Sequence, residues 1–377
     1  MQRIYFDNAA TTPISPEVIE AMLPVLQQHF GNPSSIHAEG RGVRALIEGA
    51  RKTVAQAIGA GTGDIFFTSG GTESNNMAIK GAVRDLGVTR IITSPTEHHC
   101  GLHATENVQY FAGTNVVWLP VDARGRISYD ALESALADDS GQKTLVSLMH
   151  ANNEIGTMID LKRVSGLCRQ YGAYFHCDTV QTMGHIPINV QEVAVDFLSG
   201  AAHKFHGPKG VGFIYMRHPA AVKPFIDGGA QERNMRGGTE NVYGIVGLAR
   251  ALELAISQLE ERKTHIEGVR NYLKAQLEAH FSDIQFNGDY DGDSLYTVLN
   301  VSFPPHPHNE MLLFNMDIAG ISVSGGSACS SGSDKGSHVL EAIKADPDRK
   351  SIRFSFSHYN TTEEVDTIIE KMKQFIN

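Results

Sequence analysis

Between residues 64 and 216, short apolar runs of β type alternate with segments of helical spacing, and no other feature of the chain constrains its fold as much. DIFFTS (64–69), RIITS (90–94), NVVWLPV (115–121), KTLVSLMH (143–150), YFHCD (174–178) and VDFLS (195–199) read as strands. Between them, Met77, Val83 and Leu86 fall at helical intervals, and SYDALESALAD (128–138) is helical with Ser128 as N-cap. DLKRVSGLCRQYG (160–172) puts Leu161, Val164, Leu167, Cys168 and Tyr171 on one face. Strands separated by helices imply βαβ units and a largely parallel sheet. Only FHGPKG (205–210) leads from the sixth run into GVGFIYM (210–216), too short a link for a parallel crossover, so a mixed sheet with one antiparallel pair is expected.

At 377 residues the chain exceeds the usual size of one hydrophobic core, so two domains are expected. From Asn241 to His280 one long helical stretch, with Ile245, Leu248, Leu252, Ile256 and Leu259 in register, reads as the connector. Beyond it DIQFNG, TVLNVSFP, GISVSGG and SIRFSFS alternate with HNEMLLFNMDI and a last helix whose Thr361 and Glu364 fit a capping box, giving a smaller α+β domain. With 41% hydrophobic and 20% charged residues the composition is that of a soluble globular protein. A net charge of −10 without any dense Lys/Arg run argues against nucleic acid as a partner. No apolar run reaches membrane-spanning length, and the first residues lack the apolar stretch of a secretion signal. Cys100, Cys168, Cys177 and Cys329 form no CxxC pair, which suits a reducing compartment, so a cytoplasmic enzyme or binding protein is the expectation.

In an open α/β sheet, ligands bind beyond the carboxyl ends of the strands. Four polar signals fall there. Gly70-Gly71-Thr72 opens a helix after DIFFTS and offers backbone N–H groups and a helix dipole to an anion, or is a plain turn. Asn152 and Asn153 follow KTLVSLMH. Asp178 closes YFHCD in an apolar setting where a carboxylate needs a cation or strong donor, unless it caps the next turn. Lys204, between His203 and His206 in HKFH, is either a solvated turn lysine or an amine held at a strand end. Taken together, an amine, a buried carboxylate and a phosphate cradle are what pyridoxal phosphate requires.

Two further groups carry chemistry. EHHCGLH (97–103) sets His99, Cys100 and His103 within one helical turn, a possible seed for zinc, while His98 could lie against a cofactor ring and move protons. Cys329, in SGGSACSSGS (324–333), has only small neighbours and high backbone freedom, so it reads as a thiol able to travel or as an incidental cysteine in a linker. Cys168 and Cys177 read as core residues.

Ten ordered motifs, from YFDNAATTP (5–13), FGNPSSIH (30–37) and FTSGGTESNN (67–76) through HCDTVQ (176–181) and HKFHGPKG (203–210) to ERNMRGGTEN (232–241), SGGSAC (324–329) and SIRFS (351–355), resemble those of the NifS/IscS-type cysteine desulfurases. These belong to the class V aminotransferase branch of fold-type I pyridoxal phosphate enzymes. The resemblance implies a large α/β domain over 15–255, with a mostly parallel, mixed seven-stranded sheet flanked by helices. A small α+β domain would be formed by 1–14 and 256–377 and carry the cysteine loop. It further implies Lys204 as the Schiff-base lysine, Asp178 as partner of the pyridine nitrogen, Asn153 and Gln181 near the phenolic oxygen, and His98 stacked on the ring. Gly71, Thr72 and His203 would hold the phosphate, with Thr239 reaching it from the other subunit of a homodimer. Arg353, with Asn32 and Asn153 nearby, would bind the carboxylate of L-cysteine, and Cys329 would accept the sulfur and pass it to an acceptor such as an iron–sulfur scaffold protein. No metal is implied.

Three departures stand out against that pattern. Ala201 occupies a place where many relatives carry a phosphate-binding serine, and His358 one often held by arginine. The chain stops at Asn377 without the longer tail that in some relatives contacts the scaffold, which leaves the acceptor open. An ordinary aminotransferase on this scaffold would need Lys204, Asp178 and Arg353 but not Cys329; a metallohydrolase would use His99, Cys100 and His103; a silent docking protein would need none of them.

Overall fold

The computed structural model of the chain describes residues 3–138, 141–306, 311–325 and 336–376. A short strand β1 (Ile4–Tyr5) and two helices, α1 (Pro16–Gln28) and α2 (Ala38–Ala57), precede the alternating region. That region contains β2 (Ile65–Thr68), α3 (Gly71–Leu86), β3 (Arg90–Thr93), α4 (His99–Ala112), β4 (Asn115–Trp118), α5 (Tyr129–Ala137) and β5 (Thr144–Met149). It continues through α6 (Leu161–Gln170), β6 (Tyr174–Asp178), β7 (Phe197–Ala201) and β8 (Gly212–Met216). The seven strands form one sheet in the order β2-β8-β7-β6-β5-β3-β4.

The short link after Lys204 does force an antiparallel return, yet the expected single antiparallel pair becomes two. β8 lies between β7 and β2 and runs against both, which leaves β2 parallel with the rest. The central strands are buried on both faces, as a sheet covered by helices on each side requires. Their side chains alternate accordingly. Ile65, Phe67, Ile92, Val146, Leu148, Phe175, Cys177, Leu198, Phe213 and Tyr215 pack with α1, α2, α6 and α8 (Val242–Ser257). Phe66, Ile91, Leu145, Phe197, Ile214 and Met216 pack on the other face with α3 and α4. β4, at the sheet edge, is the most exposed of the seven.

After a four-residue turn, α7 (Gln231–Asn234), whose last three residues have left-handed backbone, the 241–280 stretch departs from expectation: it is two helices, α8 and α9 (Leu259–His280), bent by 75°. Gln258 ends α8 outside helical geometry, its N–H bonding back to the Leu254 and Ile256 carbonyls. The bend has a packing cause. α8 buries Ile245, Leu248 and Leu252 in the sheet core, whereas α9 buries Ile266, Val269, Leu273 and Leu277 in a separate cluster, so one straight axis cannot serve both.

That second cluster gathers β9 (Gln285–Asn287), β10 (Val298–Phe303), α10 (Leu312–Ile318), β11 (Ile321–Ser322), α11 (His338–Ala342), β12 (Lys350–Ser355) and α12 (Thr362–Ile376) around or beside it. β9, β10 and β12 form an antiparallel sheet in the order β12-β10-β9, and β1 pairs in parallel with β11 across almost the full length of the chain. The capping box at α12 is present: Glu364 N–H donates to Thr361 Oγ1 at 3.3 Å and Thr361 N–H to Glu364 Oε2 at 3.1 Å.

Candidate active site

The carboxyl ends of β2, β3, β5, β6 and β7 open on one side of the sheet, and every strand-end signal in the sequence lies there. After β2 the chain turns at Gly70, with φ 150°, and enters α3 at Gly71. Gly70 has no side chain to cap the first turn, which leaves that end of a 16-residue helix open to an anion. A Cβ on Gly71 would fall 2.6 Å from Val180 Cγ2 and 3.8 Å from Ala201 Cβ, so the helix start presses directly onto the ends of β6 and β7. Ala201 therefore forms part of the floor of this cradle. Thr72 lies at its exposed rim.

Asp178, at the end of β6, is buried. Both sequence readings of it hold at once. Its Oδ1 accepts from the Val180 N–H at 2.9 Å, a local turn, while its Oδ2 accepts from Asn75 Nδ2 of α3 at 2.6 Å.

Lys204 ends the 3-10 turn that follows β7 and is no solvated turn lysine. Its Nζ donates to the carbonyls of Ala9 and Ala10 at 2.5 and 2.9 Å. Those carbonyls belong to the N-terminal segment, which is fixed across the lysine turn by several bonds. Thr12 N–H donates to the His203 carbonyl at 2.9 Å, His206 N–H donates to Thr12 Oγ1 at 2.8 Å, and Gln181 Nε2 donates to the Ala9 carbonyl at 3.1 Å. His203 Nδ1 lies 3.2 Å from Thr11 Oγ1, and burial together with Lys204 and Lys209 brings its pKa down to about 4. His358 packs edge-on against His206.

His98 is the N-cap of α4, its Nδ1 accepting from the Cys100 N–H at 3.2 Å. Burial lowers its pKa; Asp178 pulls it up and Lys204 pushes it further down, which places the imidazole within electrostatic reach of both. The Cys100 thiol is engaged in hydrogen bonds. Its Sγ lies 2.9 Å from His98 Nδ1 and accepts from Asn75 Nδ2 at 3.1 Å, and burial, then the Asp178 charge, pushes its pKa up to about 12. The His99 ring meanwhile stacks on His103 and tilts onto His338. Among the described residues, no group of three or more His, Cys, Asp or Glu side chains could hold a metal ion.

Arg353, on β12, is 1% exposed. Its guanidinium donates to Asp7 Oδ1 at 2.7 Å and to the Asn153 carbonyl at 2.9 Å, while its buried Nε has no partner. Asn153 itself is buried beside this contact. Asn32 is exposed between α1 and α2, accepting from the Ser34 N–H. Thr239 is exposed and lines a cavity of 220 Å³ with Ser69, Arg236 and Glu240. Cys329 lies outside the described residues. Cys168 and Cys177 are buried, as their positions in the sequence indicate.

Sequence reasoning missed the Ala9–Thr12 segment and Asn75, and weighed the Cys100 thiol only as a zinc ligand. Only the motifs YFDNAATTP and FTSGGTESNN marked the first two, and nothing in periodicity or charge did so.

The groups assembled here fit pyridoxal phosphate. The uncapped α3 terminus suits a phosphate, the buried Asp178 carboxylate a protonated ring nitrogen and the Lys204 amine an aldehyde, while Arg353 Nε is a buried donor that no protein group satisfies. Residues 4–368 match the Aminotransferase class-V family. A cysteine desulfurase IscS of Dictyoglomus turgidum is 45% identical, the alignment covering 100% of this chain and 95% of the relative. Another of the same name from Methanosarcina thermophila is 43% identical over 99% of this chain and 92% of its own length. A solved structure described as a NifS-like protein superposes with a TM-score of 0.90 at 37% identity, covering 99% of each chain. The chain belongs to the class V aminotransferase family, in its NifS/IscS-type cysteine desulfurase branch.

Proposed function

We infer that this protein is a cysteine desulfurase, taking sulfur from L-cysteine and leaving L-alanine. The observation that carries this reading is the meeting of Lys204, Asp178 and the open α3 terminus on one side of the sheet, with family membership behind it. Pyridoxal phosphate, when bound, supplies an electron-withdrawing ring that stabilises negative charge at the substrate Cα.

The residues divide the remaining work. Lys204 would tether the cofactor and, once free, take the Cα proton as general base. Asp178 would hold a proton at the ring nitrogen, with His98 against the ring and Asn153 and Gln181 near its phenolic oxygen. Gly71, Thr72 and His203 would hold the phosphate, helped by Thr239 from the second subunit of a homodimer. Arg353, with Asn32, would bind the substrate carboxylate through its guanidinium fork. Cys329, as thiolate, would attack the substrate sulfur: an S–S bond forms as the Cβ–S bond breaks, the electron pair stays with carbon, and a proton replaces sulfur there. The thiolate is oxidised to a persulfide, which an acceptor such as an iron–sulfur scaffold protein would then consume.

The same reading divides the chain into a large domain, 15–255, and a small one formed by 1–14 and 256–377, and places the enzyme in the cytoplasm. Its test is incubation of the holoenzyme with L-cysteine. Equal amounts of alanine and transferable sulfur are expected, with one extra sulfur atom at Cys329 by mass spectrometry. Cys329→Ala should keep its bound cofactor and lose sulfur release. Continued turnover by that variant would instead indicate an ordinary aminotransferase or lyase.

A further inference from the structure

Behind Asp178 runs a buried chain of hydrogen bonds whose polarity is fixed from end to end. Asp178 accepts at both oxygens, so Asn75 must present its amide NH2 to Oδ2 at 2.6 Å and turn its Oδ1 the other way. That Oδ1 lies 3.2 Å from His176 Nε2, which must therefore carry a proton, and His176 Nδ1 accepts from Ser147 Oγ at 2.9 Å. Asn75, His176 and Ser147 are all buried, with 1%, 1% and 3% exposure. The second hydrogen of the Asn75 amide points to Cys100 Sγ at 3.1 Å. The thiol, which also has the Thr72 hydroxyl as a hydrogen-bond partner, can direct its hydrogen at His98 Nδ1, 2.9 Å away, and that nitrogen also accepts from the Cys100 backbone N–H. Either donor needs the one lone pair of Nδ1, so that nitrogen carries no proton and the proton of neutral His98 sits on Nε2.

We propose that Asn75 is a positioning residue for the reaction: its single amide aims the Asp178 carboxylate and, through the Cys100 thiol, locks His98 as an Nε2 proton donor. This rests on the assignment of Asp178 and His98 to the cofactor ring made above. Asn75 touches neither substrate nor cofactor in this scheme; it acts through two residues that do. His98 faces Asp178, Lys204, His99 and His338, so its protonation is open to several charges, and a fixed tautomer determines which nitrogen those charges act upon. Cys100 is the joint between the two arms and serves as a hydrogen-bonding thiol.

The test uses the holoenzyme with four variants, Asn75→Ala, Cys100→Ala, Cys100→Ser and Asp178→Asn. It reads kcat and KM for L-cysteine, the pH titration of the bound cofactor's visible band, and melting of the cofactor-free protein. Loss of a charge-assisted hydrogen bond predicts that Asn75→Ala lowers kcat about tenfold or more, leaves KM within about twofold, and shifts the apparent pKa of the band. Cys100→Ala should lower kcat by a smaller factor and Cys100→Ser, which can both donate and accept, should restore it. A merely structural role would lower the melting temperature and leave the band's titration and kcat at wild-type values, and that result overturns the proposal. Should Asn75→Ala fail to fold, Cys100→Ala and Cys100→Ser decide: equal wild-type kcat in both sinks it. Asp178→Asn separates the two levels of inference. If it leaves the band unchanged, the ring assignment itself fails; if it perturbs the band while Asn75→Ala does not, only the positioning role of Asn75 fails.

Discussion

Ala201 shows how much one atom can matter at the strand ends. Its methyl lies 3.8 Å from the point where a Gly71 side chain would begin, on the floor of the cradle that α3 opens. A hydroxyl there would offer an anion one more donor. Ala201→Ser is therefore expected to tighten retention of pyridoxal phosphate about tenfold, in line with a hydrogen bond to a charged group, read as the dissociation constant in an equilibrium dialysis of holoenzyme. Arg353 gives the opposite case. Two of its donors are already held, by Asp7 and the Asn153 carbonyl, so its orientation is set before substrate arrives. Arg353→Lys keeps the charge and loses the fork, and should raise KM for L-cysteine roughly tenfold or more while cofactor binding stays intact. An unchanged KM would remove Arg353 from the substrate site.

At the scale of elements, the least regular segment is the one that leads to Thr239. Glu232, Arg233 and Asn234 occupy left-handed backbone in succession, with φ of 42°, 57° and 64°, a conformation that costs non-glycine residues free energy. It is held by a buried clamp. Arg51 of α2 pairs with both Glu232 oxygens at 2.7 and 2.8 Å, and Glu232 Oε2 also accepts from the Phe67 N–H of β2 at 2.7 Å. Helix, strand and turn thus meet on one carboxylate. Glu232→Ala would leave the buried guanidinium only the part-exposed Glu48 carboxylate, 3.1 Å from its Nε, and the Phe67 N–H without its acceptor, and should cost about 3 kcal/mol in urea unfolding, whereas Arg51→Met with Glu232→Leu should cost less, because no buried charge remains. A loss under about 1 kcal/mol for the single variant would show that the pair is relaxed by water. The α8–α9 bend follows the same logic: two helices commit their apolar stripes to different cores, and the chain turns at Gln258 between them.

At the scale of the molecule, histidines make stability depend on acid. Burial brings His150, His176 and His185 down to about 4 and His206 to about 3, all below the ordinary value near 6.5. The unfolded chain thus binds protons that the folded chain refuses, so stability is full above pH about 6.5 and falls as pH drops toward 4. His203 and His358, also brought down to about 4 by burial, add to this, while Glu97, Asp196 and Glu240, whose pKa values burial raises, work the other way at lower pH. The melting temperature of the cofactor-free protein should fall by about 10 °C or more between pH 7 and pH 5, and a flat profile would contradict the burial of these rings.

What the sequence settled alone was whatever rests on local pattern or on residue types with few alternative uses. Short apolar runs alternating with helical segments and the short 205–210 link dictated a mixed α/β sheet, and Asp178 is a charge whose cost in an apolar setting points to a task, whereas Lys204 stayed open between two readings and Arg353 came from the family motif alone. The tertiary structure alone decided the double antiparallel placement of β8, the break at Gln258 and the joining of Ala9–Thr12, Asn75 and Cys100 to the site. Those outcomes depend on neutral groups and on contacts between residues far apart in the chain, whose hydrogen-bonding partners exist only once the sheet has brought the strand ends together.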